Sequence, residues 1–295
     1  MKKSLTNRSK SILSNVIGRF FDIEISHGKG AYLYDIHNTP YLDFGAGIAV
    51  TSTGHCHPEV VKAIQDQAAT LIHPCIATGH YEPPIALAEK LTSILSQTTP
   101  LSVFFNQSGS EAIETAIKLA RYVTKKTKLI AFEGGFHGRT YGALSLTTSK
   151  RKYWEGYGEL LSDIDFFPYP NTYRCPWGTT NKEDSIKESI NQLIISPLFN
   201  DSVAAIIIEP ILGEGGYMPA PTAFLKALEK ICKKQNILII FDEIQSGIGR
   251  TGKWFDCHHH NIDADIITTA KGIGSGMPLA ACVAKKELMD QWTVG

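Results

Sequence analysis

Lys271 follows the strand-like run Asp265 to Thr269 and Ala270, is followed by Gly272 and Gly274, and lies in a low-charge stretch, IITTAKGIGSGMPLAA. Such surroundings strip water from an amine and lower its pKa, which makes a lysine a Schiff-base candidate. Two carboxylates stand at comparable places, Asp242 after Ile237 to Phe241 and Glu209 after Ala204 to Ile208. Either could cap a sheet end, bind a metal or hold a cationic ring nitrogen. Ser108-Gly109-Ser110-Glu111 opens a helix after a short apolar run, so free N–H groups, hydroxyls and a positive helix end are on offer to a phosphate. Phe136-His137 follows Gly134-Gly135 and could lie over a flat ring. Each has a plainer reading alone: a surface lysine, an N-cap, a packing pair.

Together the four groups meet the needs of pyridoxal phosphate, which requires an amine, a carboxylate on its pyridine nitrogen, an anion site and a ring contact. In order these are Lys271, Asp242, the Ser108-Gly109-Ser110 turn and Phe136-His137.

An α/β layered fold must position them. Ala204 to Ile208 and Ile237 to Phe241 are continuous and β-branched, and read as strands buried on both faces of a mostly parallel sheet. Between them Phe224, Leu225, Leu228, Ile231 and Cys232 recur at helical spacing, completing a βαβ unit. Val103 to Phe105, Lys128 to Phe132 and Asp265 to Thr269 read as further strands, and Ala112, Ile113, Ala116, Ile117 and Ala120 as a helical stripe. Gly30 to Asp35 and Tyr41 to Phe44, around His37-Asn38, read as an antiparallel hairpin. Tyr169 to Asp184, rich in Pro, Gly and Asn, reads as a long surface excursion.

Charge and composition narrow the partners. The 295 residues carry 29 Lys and Arg against 29 Asp and Glu, so nucleic acid is not an expected partner. No apolar run reaches the ~18 to 20 residues of a membrane span, and the N-terminus lacks a leader's apolar stretch, so a cytoplasmic protein is expected. Six scattered cysteines and the clusters His55-Cys56-His57 and His258-His259-His260 lack the spacing of a metal site, and none is expected.

The ordered blocks Ala46 to Val50, Gly54-His55-Cys56-His57-Pro58, NQSGSEAIETAIKLAR, GGFHGRTYGALS, EPILGEGG, FDEIQSGIGRTG and the Lys271 loop resemble the class III (subgroup II) pyridoxal-phosphate aminotransferases of fold type I. The spacing of Asp242 and Lys271, 271 − 242 = 29 residues, also agrees with that family. The resemblance implies that Lys271 is the Schiff-base lysine and proton shuttle, that Asp242 pairs with the pyridine nitrogen and that Gln245 bonds the ring's 3-oxygen. It further implies that Gly109 and Ser110, with Ser108, hold phosphate and that Phe136 and His137 contact the ring. Arg139 would hold a substrate carboxylate, Ile48 would pack on the substrate chain, and Glu209 would lie nearby. Glu214 would act as a switch, pairing with a C-terminal arginine in one half-reaction.

The substrates implied are amino acids and 2-oxo acids. Ile48 with Arg139, and the Tyr169 to Gly178 stretch, favour a 4-aminobutyrate-like ω-amino acid with 2-oxoglutarate, giving the semialdehyde and glutamate. Acetylornithine or ornithine stands behind it, then a fold-type I aminomutase or an inactive remnant. A homodimer or higher homo-oligomer is implied. The expected organisation is a small lobe with the hairpin over 1–58 and a truncated cofactor-binding domain over 59–295. The family's C-terminal domain is expected to be missing, leaving Glu214 without its arginine, cofactor binding weak and apolar surface exposed.

Overall fold

In the computed structural model, which describes residues 4–96 and 98–294, the chain divides into two units, Met1–Gly79 and His80–Gly295. In the first, β1 (Ile25–Lys29), β2 (Tyr32–Asp35) and β3 (Pro40–Leu42) form an antiparallel sheet in that order. The β2–β3 turn is closed by Asp35, whose Oδ1 accepts the N–H groups of His37 and Thr39, both at 2.8 Å; β1 is an addition to the expected hairpin, and Asp43 and Phe44 fall beyond β3. Ala46 to Ala49 then form a turn with φ of 47°, 63°, 63° and 61°, a left-handed path that costs L-residues about 1–2 kcal/mol each. Asp43 anchors it by accepting the N–H groups of Gly45 and Ala46 on Oδ1 while Oδ2 meets His55 Nε2 at 2.7 Å. Among the described residues of this unit, Asp35 alone is buried.

The second unit is built on seven strands: β4 (Leu101–Asn106), β5 (Lys128–Phe132), β6 (Ile164–Phe167), β7 (Val203–Ile208), β10 (Leu238–Asp242), β11 (Ile266–Thr269) and β12 (Ala280–Lys285). The pair β8 (Ile211–Leu212) and β9 (Met218–Pro219) forms a separate small hairpin. The sheet order is β4-β12-β11-β10-β7-β5-β6. Every neighbouring pair is parallel except the two that β12 makes, so β12 alone runs against the others. Helices cover both faces. Gly109–Thr124 turns Ile113, Ala116, Leu119 and Ala120 into one apolar layer with Ala205, Ile207 and Ile240. Thr222–Gln235 turns Phe224, Leu225 and Leu228 into the other, with Ile130, Ile206 and Phe241. Alternate residues of β7 thus feed opposite layers, as strand periodicity requires, and the continuous apolar run is explained.

The expected excursion from Tyr169 is shorter than the sequence suggests. Asn181 accepts the Asp184 N–H and caps a helix, Lys182–Ile195, that contains Asp184. Its polar sequence conceals the helix because Ser185 and Ser189 share the buried face with Leu193. Strands β6 and β12 were likewise not expected. Ile206→Ala removes a fully buried side chain and is expected to cost about 2–5 kcal/mol of unfolding free energy. Ile194→Ala, at 62% exposure, is expected to stay within about 0.5 kcal/mol. Urea denaturation of the two variants checks the contrast, and equal losses would contradict this placement of the core.

Candidate active site

The parallel strands all end at one edge of the sheet, the edge where open α/β folds gather ligands. Six loops leave it: 107–108 after β4, 133–140 after β5, 168–181 after β6, 209–210 after β7, 243–256 after β10 and 270–279 after β11. Lys271, Asp242, Glu209, Phe136, His137 and the Ser108 turn are therefore brought together by topology.

Asp242, 3% exposed, is the centre. Its Oδ1 accepts the Ile244 N–H at 3.1 Å and the Thr268 hydroxyl at 3.3 Å, and its Oδ2 lies 2.7 Å from His137 Nδ1. Burial works against a proton on His137, but the hydrogen bond and charge of Asp242, with the charge of Glu209, outweigh it and hold the imidazole above the usual histidine range. His137 Nε2 is buried with no partner. The sequence grouped His137 with Phe136 as a ring contact; here its ring lies on the carboxylate.

Lys271 has φ of 49°, an unusual conformation for a residue with a Cβ, and begins a short 3-10 turn, Lys271–Ile273. Burial depresses its amine below the usual lysine range, against the opposing pull of Asp242, Glu209 and Glu214. The β8–β9 loop joins the same site through the Gly213 N–H, which Glu209 Oε2 accepts at 3.0 Å.

Ser108 is the N-cap of helix Gly109–Thr124. Its hydroxyl accepts the Glu111 N–H at 3.3 Å, and Glu111 returns the bond to the Ser108 N–H at 2.8 Å. The plain reading and the phosphate reading thus share one turn, because the capping box leaves the next N–H groups at the helix start. A Cβ on Gly109 would come within 3.0 Å of Ile244 Cδ1, and one on Gly138, where φ is 135°, would overlap Ser110 Oγ. These two glycines let the helix start meet the Asp242 and His137 loops. Ser110 Oγ also accepts the Arg139 N–H at 3.2 Å.

On the outer side, Phe136 packs edge-on to Tyr153 at 5.6 Å between centroids, and the Arg139 guanidinium lies 5.9 Å from the Tyr153 ring centre. Glu214 is not alone: Lys150 Nζ stands 3.2 Å from Oε2, and the Tyr153 and Ser149 hydroxyls donate to the same oxygen at 3.1 and 3.3 Å. Lys150 and its neighbours thus supply a partner that the sequence did not suggest. Glu209 is 5% exposed with both oxygens on backbone amides. Gln245 Oε1 approaches Gly213. Ile48 belongs to the other unit, where it is 58% exposed on the left-handed turn.

Several supporting residues had no sequence signal. Thr147 accepts the His137 N–H at 2.9 Å and donates its hydroxyl to the carbonyls of Gly138 and Ala143. Glu114 Oε1 gathers the Thr140 hydroxyl and the N–H groups of Gly142 and Ala143. Glu243, fully buried beside Asp242, binds the N–H groups of Asp256 and Cys257 at 2.7 Å each. By contrast, Glu111 was legible as the fourth residue of a Ser-x-x-Glu cap.

The class III aminotransferase family model matches residues 14–295. The chain is similar to alanine/serine racemase of Pyrococcus horikoshii, at 37% identity, covering 98% of this chain and 62% of that protein. It is similar to 2-aminoadipate transaminase of Pseudomonas putida, at 42% over 94% and 65% of the two chains, and to 4-aminobutyrate aminotransferase of Escherichia coli, at 35% over 98% and 66%. It therefore spans somewhat under two thirds of these relatives' lengths. Among solved structures, a PLP-bound amine transaminase from an uncultivated Pseudomonas species superimposes with a TM-score of 0.86, at 28% identity, over 95% of this chain and 66% of that one.

Thr147→Val keeps the side chain's shape and removes its hydroxyl, leaving the buried His137 N–H unpaired. Such an orphan costs about 1–3 kcal/mol, and urea unfolding is expected to show a loss in that range. An unchanged midpoint would mean that the hydroxyl does not hold the His137 loop.

Proposed function

The chain belongs to the class III aminotransferases, and we propose that it serves a pyridoxal-phosphate-dependent amino transfer from a 4-aminobutyrate-like ω-amino acid to 2-oxoglutarate. The observation that carries the cofactor reading is the meeting of Lys271, Asp242 and the Ser108–Ser110 turn at one sheet edge.

The residues fit the group. Asp242 Oδ2 has one lone-pair direction on His137 and a second left for a pyridine N–H. The first turn of helix Gly109–Thr124 presents unbonded N–H groups beside Ser110, suited to a phosphate. Phe136, half-buried and set by Tyr153, offers an aromatic face. When bound, pyridoxal phosphate supplies an aldehyde and an electron-withdrawing ring that eases loss of a proton from the carbon bearing the substrate's nitrogen.

The chain's own groups do the rest. Lys271 Nζ, with its pKa depressed by burial, would be the amine that holds the aldehyde and the group that takes and returns a proton. Asp242, backed by a proton-rich His137, keeps the ring nitrogen's proton in place. Gln245 would hold the ring oxygen. Arg139, exposed and flanked by Tyr153, takes a substrate carboxylate. Glu214 moderates the charge of that rim. A 1–58 lobe, a 59–295 cofactor domain and a homodimer or higher homo-oligomer complete the reading on the motif resemblance, and a cytoplasmic location on the chain's composition.

Titration with pyridoxal phosphate tests the cofactor reading: a visible absorbance band that Lys271→Ala abolishes supports it and overturns the expectation of weak binding. Amine donors are then assayed with 2-oxoglutarate. Turnover of 4-aminobutyrate above acetylornithine supports the substrate chosen, and the reverse order refutes it. A second reading follows from the 37% identical racemase: inversion of an amino acid without any 2-oxo acid would replace transfer with isomerisation.

A further inference from the structure

Glu209 stands buried at the end of β7, and among the described residues no ammonium or guanidinium is bonded to it. Its Oε1 accepts the Phe136 N–H at 2.8 Å and its Oε2 accepts the Gly213 N–H at 3.0 Å. Those amides belong to different loops. Phe136 follows β5 and carries the aromatic face, whereas Gly213 lies in the β8–β9 hairpin and precedes Glu214. A Cβ on Gly213 would sit 3.2 Å from Glu209 Oε2 and would overlap Gln245 Oε1, so the β10 loop closes on the same point. The backbone of Glu209 is held as firmly: the buried Tyr169 hydroxyl lies 3.0 Å from its carbonyl.

We propose that Glu209 is a positioning residue of the active site, one buried carboxylate that ties the Phe136 loop to the Gly213–Glu214 loop and so fixes the ring face and the rim carboxylate together. This rests on the aminotransferase reading for its purpose, though not for its geometry. It also gives Glu209 a different task from substrate contact, since both its oxygens are already engaged inside the protein.

The charges around it make the tie responsive to pH. Burial above all raises Glu209 to about 7; the charge of His137 opposes this and that of Asp242 adds to it. Lys271 and Tyr169 are the other titratable groups that share its field. Above about pH 7 the carboxylate accepts both amides. Below it, a proton on one oxygen weakens one of the two ties. Because the pKa in the folded protein lies above the ordinary carboxylate value, the stability that Glu209 contributes is complete below about 4.5 and is lost as pH rises through about 7.

Hydrogen–deuterium exchange on the full chain tests this through the Phe136 and Gly213 amides, without cofactor. Glu209→Ala is expected to speed both together by about ten-fold or more, the size of a lost hydrogen bond to a charged group. Glu209→Gln, which keeps the shape and should fold even where the alanine variant does not, is expected to protect one amide and release the other. It is also expected to abolish any change in protection between pH 6 and pH 8. Unchanged protection in either variant would overturn the proposal, as would release of one amide with no effect on its counterpart in the alanine variant. Pyridoxal phosphate is titrated in parallel. If the wild-type chain gives no Lys271-dependent band while the amides respond as expected, the cofactor reading fails and the tie stands. If the band forms and the amides do not respond, the tie fails alone.

Discussion

A carboxylate and an imidazole removed from water at the end of a strand set the terms for the rest of the molecule. Asp242 and His137 are 3% and 2% exposed, and burying two such groups costs several kcal/mol each unless their hydrogen bonds are met inside. The fold meets them through register. Thr268 is the parallel partner of Asp242 across β10 and β11, so its hydroxyl lies on the carboxylate's side. A slip of one residue would turn the Thr268 side chain to the opposite face. His137 is fixed from behind by Thr147, and Thr147 in turn closes the short helix Tyr141–Ser145 by bonding the Ala143 carbonyl. Strand pairing and loop path thus answer to one ion pair.

The reversal of β12 explains why the lysine can reach that pair. After β11 the chain does not cross over through a helix, as a further parallel strand would require. It turns at the site edge and runs straight back beside β11, leaving residues 270–279 in a loop over the carboxyl ends. Lys271 occupies the first bend of that loop and accepts a positive φ there. The strain is local, and its consequence is an amine held at the sheet edge by two rigid strands.

The parts of this design differ in how plainly the sequence displays them. Val203 to Ile208 and Leu238 to Asp242 were legible because burial on both faces demands unbroken apolar runs. β12, Ala280 to Lys285, is also buried, yet its alanines and Cys282 carry little β preference, so its strand identity comes from β4 and β11 on either side. The helix Lys182–Ile195 carries a weak sequence signal because Ser185 and Ser189 share its buried face with Leu193. Among site residues, those that offer chemistry stood at strand ends and could be found. Thr147, Glu114 and Tyr153 could not, since a residue that holds another through space has no spacing of its own.

The electrostatics of the amine follow from these placements acting in opposition. Burial lowers the Lys271 pKa while Asp242, Glu209 and Glu214 raise it, and the net direction is down. The three acids do not pull equally in all conditions. Asp242 is matched by His137, and Glu214 by Lys150 at 3.2 Å, so each presents less free negative charge to the amine than its position suggests. Among the described residues no cation is bonded to Glu209, which burial raises to take up a proton near pH 7. As it does so, one of the three negative charges that raise the amine's pKa is lost, and burial is left to act with less opposition. The neutral amine that a nucleophile requires is therefore favoured by a proton held on a neighbouring acid, and the cost of burying Glu209 becomes part of what tunes Lys271.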